Sequence, residues 1–335
     1  MGRGRRRDGC EIKRRLALAR PSPYRGRGPV SRTRFEAGTN LTAMSDGPTP
    51  SRRVPAPDLA AWLGVAPFFV FAAMFLIVPT ASLLVGAFQD REGAFTLANI
   101  VRLGQPSIRL SYWLSIQVSA ASAILGALIG LALALTTLRG GLPSWLRPTL
   151  MTFSGVASNF AGVPLAFAFM ATLGRLGLVT VLLRNIGVDL YAHGFNILTF
   201  WGLTITYLYF QIPLMVLVVT PAIDGLRHEW AEAAEMLGAS PWQYWRLIAL
   251  PILWPSVMGA ALLLFANAFG AIATAYALTG SSFNIVPILL YAQIRGDVLH
   301  DPNLGYALAL GMLAITGASN LAYLALRARS DRWLR

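Results

Sequence analysis

Six stretches of this chain carry no Asp, Glu, Lys, Arg or His: Trp62–Phe88, Tyr112–Leu138, Thr149–Gly174, Ile197–Pro221, Ser256–Thr279 and Asn303–Leu326, each 24 to 27 residues long. A soluble core has no use for so many uncharged apolar runs longer than about 18 residues, whereas about 20 apolar residues wound as a helix cross the ~30 Å hydrocarbon core of a bilayer. Each run is long enough to cross with some tilt. Lipid offers no partner for a backbone N–H or C=O, so a crossing segment of this length has to be helical. The expected fold class is an all-α polytopic membrane protein of six transmembrane helices. Composition agrees, with 55% hydrophobic and 13% charged residues where soluble domains carry about 25% charged.

Arginine placement gives the expected orientation. With the N-terminus in the cytoplasm, the inner segments hold Arg52, Arg53, Arg139, Arg147, Arg227, Arg246, Arg327, Arg329, Arg332 and Arg335, and the outer ones hold Arg91, Arg102, Arg109, Arg175, Arg184 and Arg295. Ten against six follows the positive-inside rule and puts both termini in the cytoplasm. Two of the outer segments, Arg175–Val188 and Phe283–Leu299, are apolar enough to lie in the interface or dip back into it, and too short and interrupted to span.

The net charge of +13 is uneven. Residues 1–43 hold twelve basic side chains against Asp8, Glu11 and Glu36, a surplus of +9, which leaves +4 for the rest of the chain. With no apolar period, residues 1–57 are expected to form a disordered Arg-rich tail ahead of a membrane domain at 58–335. The tail reads either as a nucleic-acid- or lipid-binding arm or as upstream sequence, since Met44 opens a serviceable cytoplasmic lead; the expectation adopted is upstream sequence, with no nucleic-acid partner. Cys10, in that tail, is the only cysteine, so the body holds no disulfide, thiolate metal site or cysteine nucleophile.

With ionisable groups absent from the spans, softer polar residues remain: Gln117, Asn159, Gln211, Asn267 and Asn320, together with Pro164 and Pro213. Asn159, Gln211 and Asn267 are the candidates for a translocation path, although for any single one of these residues hydrogen bonding between helices is the preferred reading. A stand-alone secondary transporter would want inverted repeats, paired interrupted helices or a buried charge. A membrane enzyme would want converging catalytic groups, and His193, His228 and His300 fall in loops on both sides. No metal site or catalytic residue is expected. The chain also lacks GxxxxGK[ST], so it binds no ATP by that loop, and no cofactor of its own is expected.

Between the fourth and fifth spans lies a polar, broken segment, "EWAEAAEMLGASPWQYWRLIALP". Its first part reads as a short helix with Glu229, Glu232 and Glu235 toward the start, where the helix dipole favours acids. Gly238 supplies a left-handed C-cap. Ser240 as N-cap and Pro241 at the first position restart a second helix, with Trp242, Trp245 and Leu250 on one face. Pro251 and Pro255 then return the chain to the membrane, so the expected shape is a helix–turn–helix bracket along the cytoplasmic surface.

The spacing Glu232-Ala233-Ala234, three residues, Gly238, nine residues, Ile248, one residue, Leu250-Pro251 resembles the EAA loop of permeases in binding-protein-dependent ABC importers. "SNFAGVPLAFAFMATLG", "YLYFQIPLMV" and "DPNLGYALALGM" are similar to the permeases of polyamine uptake, and the resemblance covers about Trp62 to Leu326. It implies an inner-membrane protein of a bacterial cell, embedded in lipid, that pairs with a second permease subunit and a pair of cytoplasmic ATP-binding subunits. An extracytoplasmic solute-binding protein would deliver the solute. Glu232, Ala233 and Ala234 would shape the ATPase contact, Gly238 the turn, and Ile248, Leu250 and Pro251 would anchor the second helix. The chain itself would be no enzyme. The solute implied is a polyamine such as spermidine or putrescine, with ferric iron, thiamine and phosphonate as the alternatives carried by similar permeases.

Overall fold

The structure, a computed structural model, describes residues 59–295 and 301–331. The expected disordered tail 1–57, with Cys10, Met44, Arg52 and Arg53, lies outside the described residues, as do His300, Arg332 and Arg335. Among the described residues the fold is all helical, with no strand beyond an isolated bridge between Gln89 and Phe95.

The first crossing, α1, opens at Leu59 and spans Trp62–Ala87, with a π turn at Ala73–Ile77. After it come α2 (Ala98–Arg102), α3 (Pro106–Arg139), α4 (Leu146–Asn159), α5 (Val163–Leu173), α6 (Leu178–Asn185), α7 (Phe200–Asp224) and α8 (His228–Met236). The chain ends with α9 (Pro241–Phe269), α10 (Ile272–Thr279), α11 (Val286–Arg295) and α12 (Pro302–Asp331). The six expected crossings are present. Their ends move: the second begins six residues earlier, at Pro106, and the last runs on to Asp331.

The centre of the bundle is α3, α7 and α9, with α12 against α9. α3 presents a strip of small and hydroxyl residues to its neighbours, including Ser115, Ser119, Ser122, Gly126 and Gly130. Added β-carbons at Gly126 and Gly130 would lie 2.8 Å from Cβ of Gln211 and 2.6 Å from Cβ of Met215. The sequence GALIG is thus a small-xxx-small seam that lets α7 approach closely, which is how helices associate where lipid is as apolar as their own side chains. Several span hydroxyls find carbonyls one turn back, as Thr206 does at Gly202 and Thr220 at Val216, because no water is there to take them. Others tie helices together: Tyr112 donates to the Leu308 carbonyl at 2.7 Å and Ser319 to Leu262 at 2.9 Å. Gln211, fully buried, donates to the Leu264 carbonyl at 3.1 Å and to Ser122 Oγ at 3.4 Å.

Two crossings are interrupted where the sequence predicts continuous helices. The stretch Thr149–Gly174 is split into α4 and α5 at Phe160–Gly162, with Gly162 at φ 78° and ψ −148°; the window apolar enough to span lies at Val163–Asn185. α4 nonetheless runs beside the end of α7, where Met151 meets Thr220 and Arg147 meets Asp224, and α5 continues beside its start, where Leu165 packs with Leu203 and Tyr207. One broken crossing therefore follows the length of α7. The predicted span Ser256–Thr279 breaks at Gly270 and Ala271 before α10. The two breaks meet: the Gly162 amide donates to Thr274 Oγ1 at 2.7 Å, and Tyr207 donates to the Ala271 carbonyl at 2.8 Å. These partners lie far away in the chain, so local sequence does not announce them.

α11, foreseen only as an interfacial or re-entrant segment, starts inside the bundle, with Val286, Pro287 and Ile288 buried. Its Val286 amide donates to Ser115 Oγ of α3 at 2.8 Å.

Candidate functional site

The loop from Gly225 to the start of α9 emerges at the end of the bundle marked by Arg139, Arg147 and Asp224. Its first helix, α8, closes with a Schellman motif. The Ala239 amide donates to the Ala234 carbonyl at 3.0 Å and that of Gly238 to Glu235 at 2.9 Å, with Gly238 at φ 76°. This is the hydrogen-bond pair that such a cap needs, and glycine holds the left-handed residue without a Cβ penalty. Two residues on, the Gln243 amide donates to Ser240 Oγ at 3.3 Å while the Ser240 amide donates to Gln243 Oε1 at 2.7 Å. That reciprocal capping box, with Pro241 at the first turn, fixes the start of the next helix.

The expected bracket changes beyond this point. Its second arm is no separate helix: Pro241 to Phe269 runs through as one helix. A π turn at Trp245–Ala249 comes just before Leu250-Pro251, with the Leu250 amide reaching back five residues to Trp245. Proline cannot accept the ordinary geometry, since it has no N–H and its ring meets the carbonyl four residues back. The wider turn accommodates it and the helix continues into the membrane. α1 does the same, with a π turn at Ala73–Ile77 and the Val78 amide on Ala73, just ahead of Pro79. The extra residue also shifts the register of the expected aromatic face. Trp242 is 72% exposed and Leu250 45%, while Trp245 packs into the apolar cluster at the root of the loop.

That root holds Ile223, Leu226, Ala249 and Leu253, each 3% exposed or less, with Trp230, Tyr244 and Trp245 packed against them. At the far end, Met236 is 90% exposed and Leu237 88%. The residues singled out from the sequence divide accordingly. Glu232, Ala233 and Gly238 stand on the exposed part, Ala234 is buried, Ile248 is half-buried, and Leu250 and Pro251 face outward. Glu232 Oε1 lies 3.5 Å from His228 Nε2. Sequence reading missed Leu226, Ala249 and Leu253 as the anchors; an apolar Leu one residue before the N-cap Arg227 of α8 was the available signal, in the position of a hydrophobic staple.

It also missed Arg139, whose Nη2 donates to the carbonyls of Ile223 at 2.9 Å and Leu226 at 2.6 Å. The signal here was a cation in the last turn of a helix. Beside it Arg147 Nη2 pairs with Asp224 Oδ2 at 2.7 Å.

The three path candidates sit in two settings. Gln211 is enclosed by α3, α7 and α9 and lines no surface. Asn159 and Asn267 are exposed, at the ends of α4 and α9 next to the two breaks; Asn159 Nδ2 donates to the Gly155 carbonyl at 2.8 Å. Among the described residues no group of His, Cys, Asp and Glu could hold a metal ion.

Residues 61–335 match the family described as binding-protein-dependent transport system inner membrane component. The molybdenum transport system permease protein ModB of Mycobacterium tuberculosis (strain ATCC 25618 / H37Rv) is 27% identical over 215 residues, 63% of this chain and 76% of that protein. The spermidine/putrescine transport system permease protein PotB of Haemophilus influenzae (strain ATCC 51907 / DSM 11121 / KW20 / Rd) is 25% identical over 259 residues, 75% of this chain and 88% of that one. A crystal structure of a bacterial ABC transporter that imports the acidic polysaccharide alginate contains a chain of the same fold, with a TM-score of 0.62 at 18% identity, covering 82% of this chain and 96% of its own. By its helices, its loop and its match over 61–335, this chain belongs to the family of inner-membrane components of binding-protein-dependent transport systems, as a permease subunit of an ABC importer.

Proposed function

We propose that α8 and the start of α9 form the coupling surface for a separate ATP-binding subunit, in a complex that also holds a second permease subunit and receives a polyamine from an extracytoplasmic binding protein. The observation that carries the coupling role is the build of the tip. Two caps fix its backbone, and it carries Met236, Leu237 and Trp242 uncovered by the rest of the chain. A preorganised apolar tip flanked by Glu229, Glu232 and Glu235 suits insertion into a groove of a partner. In this reading the loop end is cytoplasmic, as the arginine count expects, and ATP is bound and hydrolysed by the partner alone.

For the path we assign Asn159 and Asn267, the two exposed amides beside the helix breaks, and leave Gln211 as a tether. The polyamine reading is supported by the aromatic rings at the first break. Phe160 and Phe169 each lie edge-on to Tyr209, at 5.9 and 6.1 Å between centroids, and such faces attract organic cations. Likeness to the permease PotB adds to it. An oxyanion is the second reading, favoured by the absence of any carboxylate from the six predicted spans and by likeness to ModB. The experiment is uptake of labelled spermidine, putrescine and molybdate by cells expressing the chain with its co-purifying ATPase. Spermidine or putrescine uptake is expected. Uptake of molybdate alone overturns the polyamine assignment, and failure of any ATPase to co-purify overturns the coupling role.

A further inference from the structure

The coupling loop is tied to a helix far from it in sequence. α7 ends at Asp224, and in the turn that follows the Leu226 amide donates to the Ile223 carbonyl at 3.2 Å and the Gly225 amide to Pro221 at 3.1 Å. The Ile223 and Leu226 carbonyls both accept from one nitrogen of Arg139, the last residue of α3, at 2.9 and 2.6 Å. Ile223 is fully buried and Leu226 is 3% exposed, so the two carbonyls lie in the apolar root of the loop, while the Arg139 side chain reaches them from an exposed position and the bonds are part-buried. A cation at a helix C-terminus is favoured by the dipole. A guanidinium that spans two carbonyls also fixes their position, which a single ammonium point charge does not. The neighbouring pair of Arg147 and Asp224 has both side chains about half exposed, at 51% and 44%; surface pairs of that kind contribute little.

We propose that Arg139 is a positioning residue for energy coupling: it locks the root of the coupling loop to α3, so that a displacement of the tip moves α3 and α7 as one unit. α3 then carries the displacement along the Gly126–Gly130 seam into the centre of the bundle. Without the lock, α8 could shift against α3 by bending the short turn at Gly225–Arg227. This inference rests on the coupling role proposed above.

The test uses the whole complex with its ATPase, reconstituted in vesicles, for Arg139→Gln, Arg139→Lys and Arg147→Gln at matched amounts of inserted protein. ATP hydrolysis and uptake of labelled spermidine are measured together, with molybdate in its place if that is the solute the uptake panel selects. For Arg139→Gln the bound ATPase and at least half of the hydrolysis are expected to remain, while solute taken up per ATP falls about fivefold or more, within the range seen for coupling residues. Arg139→Lys should recover part of that ratio, and Arg147→Gln should change it less than about twofold, as an exposed pair does. An unchanged ratio in Arg139→Gln overturns the inference. So does a parallel fall of uptake, hydrolysis and bound ATPase, which would make Arg139 a stabilising contact only. Gly238→Asp separates the two ideas. If it keeps its ATPase and its uptake, the coupling role itself fails; if it is defective while Arg139→Gln is normal, only the role of Arg139 fails.

Discussion

Gly130 and Gly238 are glycines for different physical reasons, and substitutions should separate them. A β-carbon at Gly130 would lie 2.8 Å from the Ile212 carbonyl oxygen as well as against Met215, and a backbone oxygen cannot move aside. Gly130→Val should therefore force α3 and α7 apart, at the 1–3 kcal/mol typical of overpacking. A lower melting temperature in detergent should follow, with no such drop for Gly64→Val, where nothing lies within 4 Å. At Gly238 the space is also open, so the cost of a side chain is the left-handed backbone itself, roughly 1 kcal/mol. Gly238→Asp should leave the bundle inserted and melting nearly as the parent does. The ATPase recovered with it by affinity purification should fall, because the tip would carry the wrong shape and an added charge. Full recovery would place the ATPase contact elsewhere.

At the level of elements, the interrupted crossings should depend on single acceptors. Thr274 is 1% exposed and its hydroxyl takes the Gly162 amide. Thr274→Val keeps the shape and leaves a part-buried N–H unpaired, at about 1 kcal/mol, the low end for a lost partner, and thermal unfolding of the purified chain should report the loss. An unchanged melting temperature would mean that the break needs no such support. The start of α12 makes a pH-dependent prediction. Asp301 caps that helix through the Leu304 amide and pairs with Arg102 at 2.7 Å. Partial burial raises its pKa, but the hydrogen bond from Arg102, the Leu304 amide and the charges of Arg102 and Arg91 outweigh this and hold the carboxyl below its ordinary 3.8. A depressed carboxylate contributes stability above its unfolded pKa and loses it as pH falls through the folded value. The melting difference between Asp301→Asn and the parent should thus stay constant from pH 8 to 5 and shrink only below the usual carboxylate range.

These elements also show what a sequence can and cannot disclose. The caps at Gly238 and Ser240 were readable because each is built from residues within five positions of one another. The six crossings were readable because the bilayer imposes their length. The breaks at Phe160–Gly162 and Gly270–Ala271 were not, since their freed groups are paired by Thr274 and Tyr207 from other helices. Pro251 misled for a related reason: proline announces a helix end, yet a π turn ahead of it lets the helix pass. Among the site residues, the acidic and glycine positions followed from pattern, while Arg139 required knowing which helix ends lie side by side.

For the whole molecule, the arginine count makes a sharp prediction of orientation, with both termini and the coupling loop in the cytoplasm. With Cys10 replaced, Asn185→Cys should react with a membrane-impermeant thiol reagent in intact cells, and Ser240→Cys should react only after the cells are opened. Labelling of Ser240→Cys alone in intact cells would invert the assignment of both ends.

The first crossing is the least embedded part of the bundle; none of its most apolar window is buried. Its main neighbour within the chain is α12, the last crossing, through Gly86, where an added β-carbon would strike the Tyr306 ring. The pair of Arg102 and Asp301 joins the same two regions. Of the six described crossings, the first in chain order therefore has its docking site on the last. Until α12 is made, α1 lacks this neighbour, and their docking joins Gly86 to Tyr306, more than 200 residues along the chain. A nascent chain halted before Tyr306 would lack the packing partner of α1 and also the helix that lies along α9, so one missing crossing would leave two others unsupported.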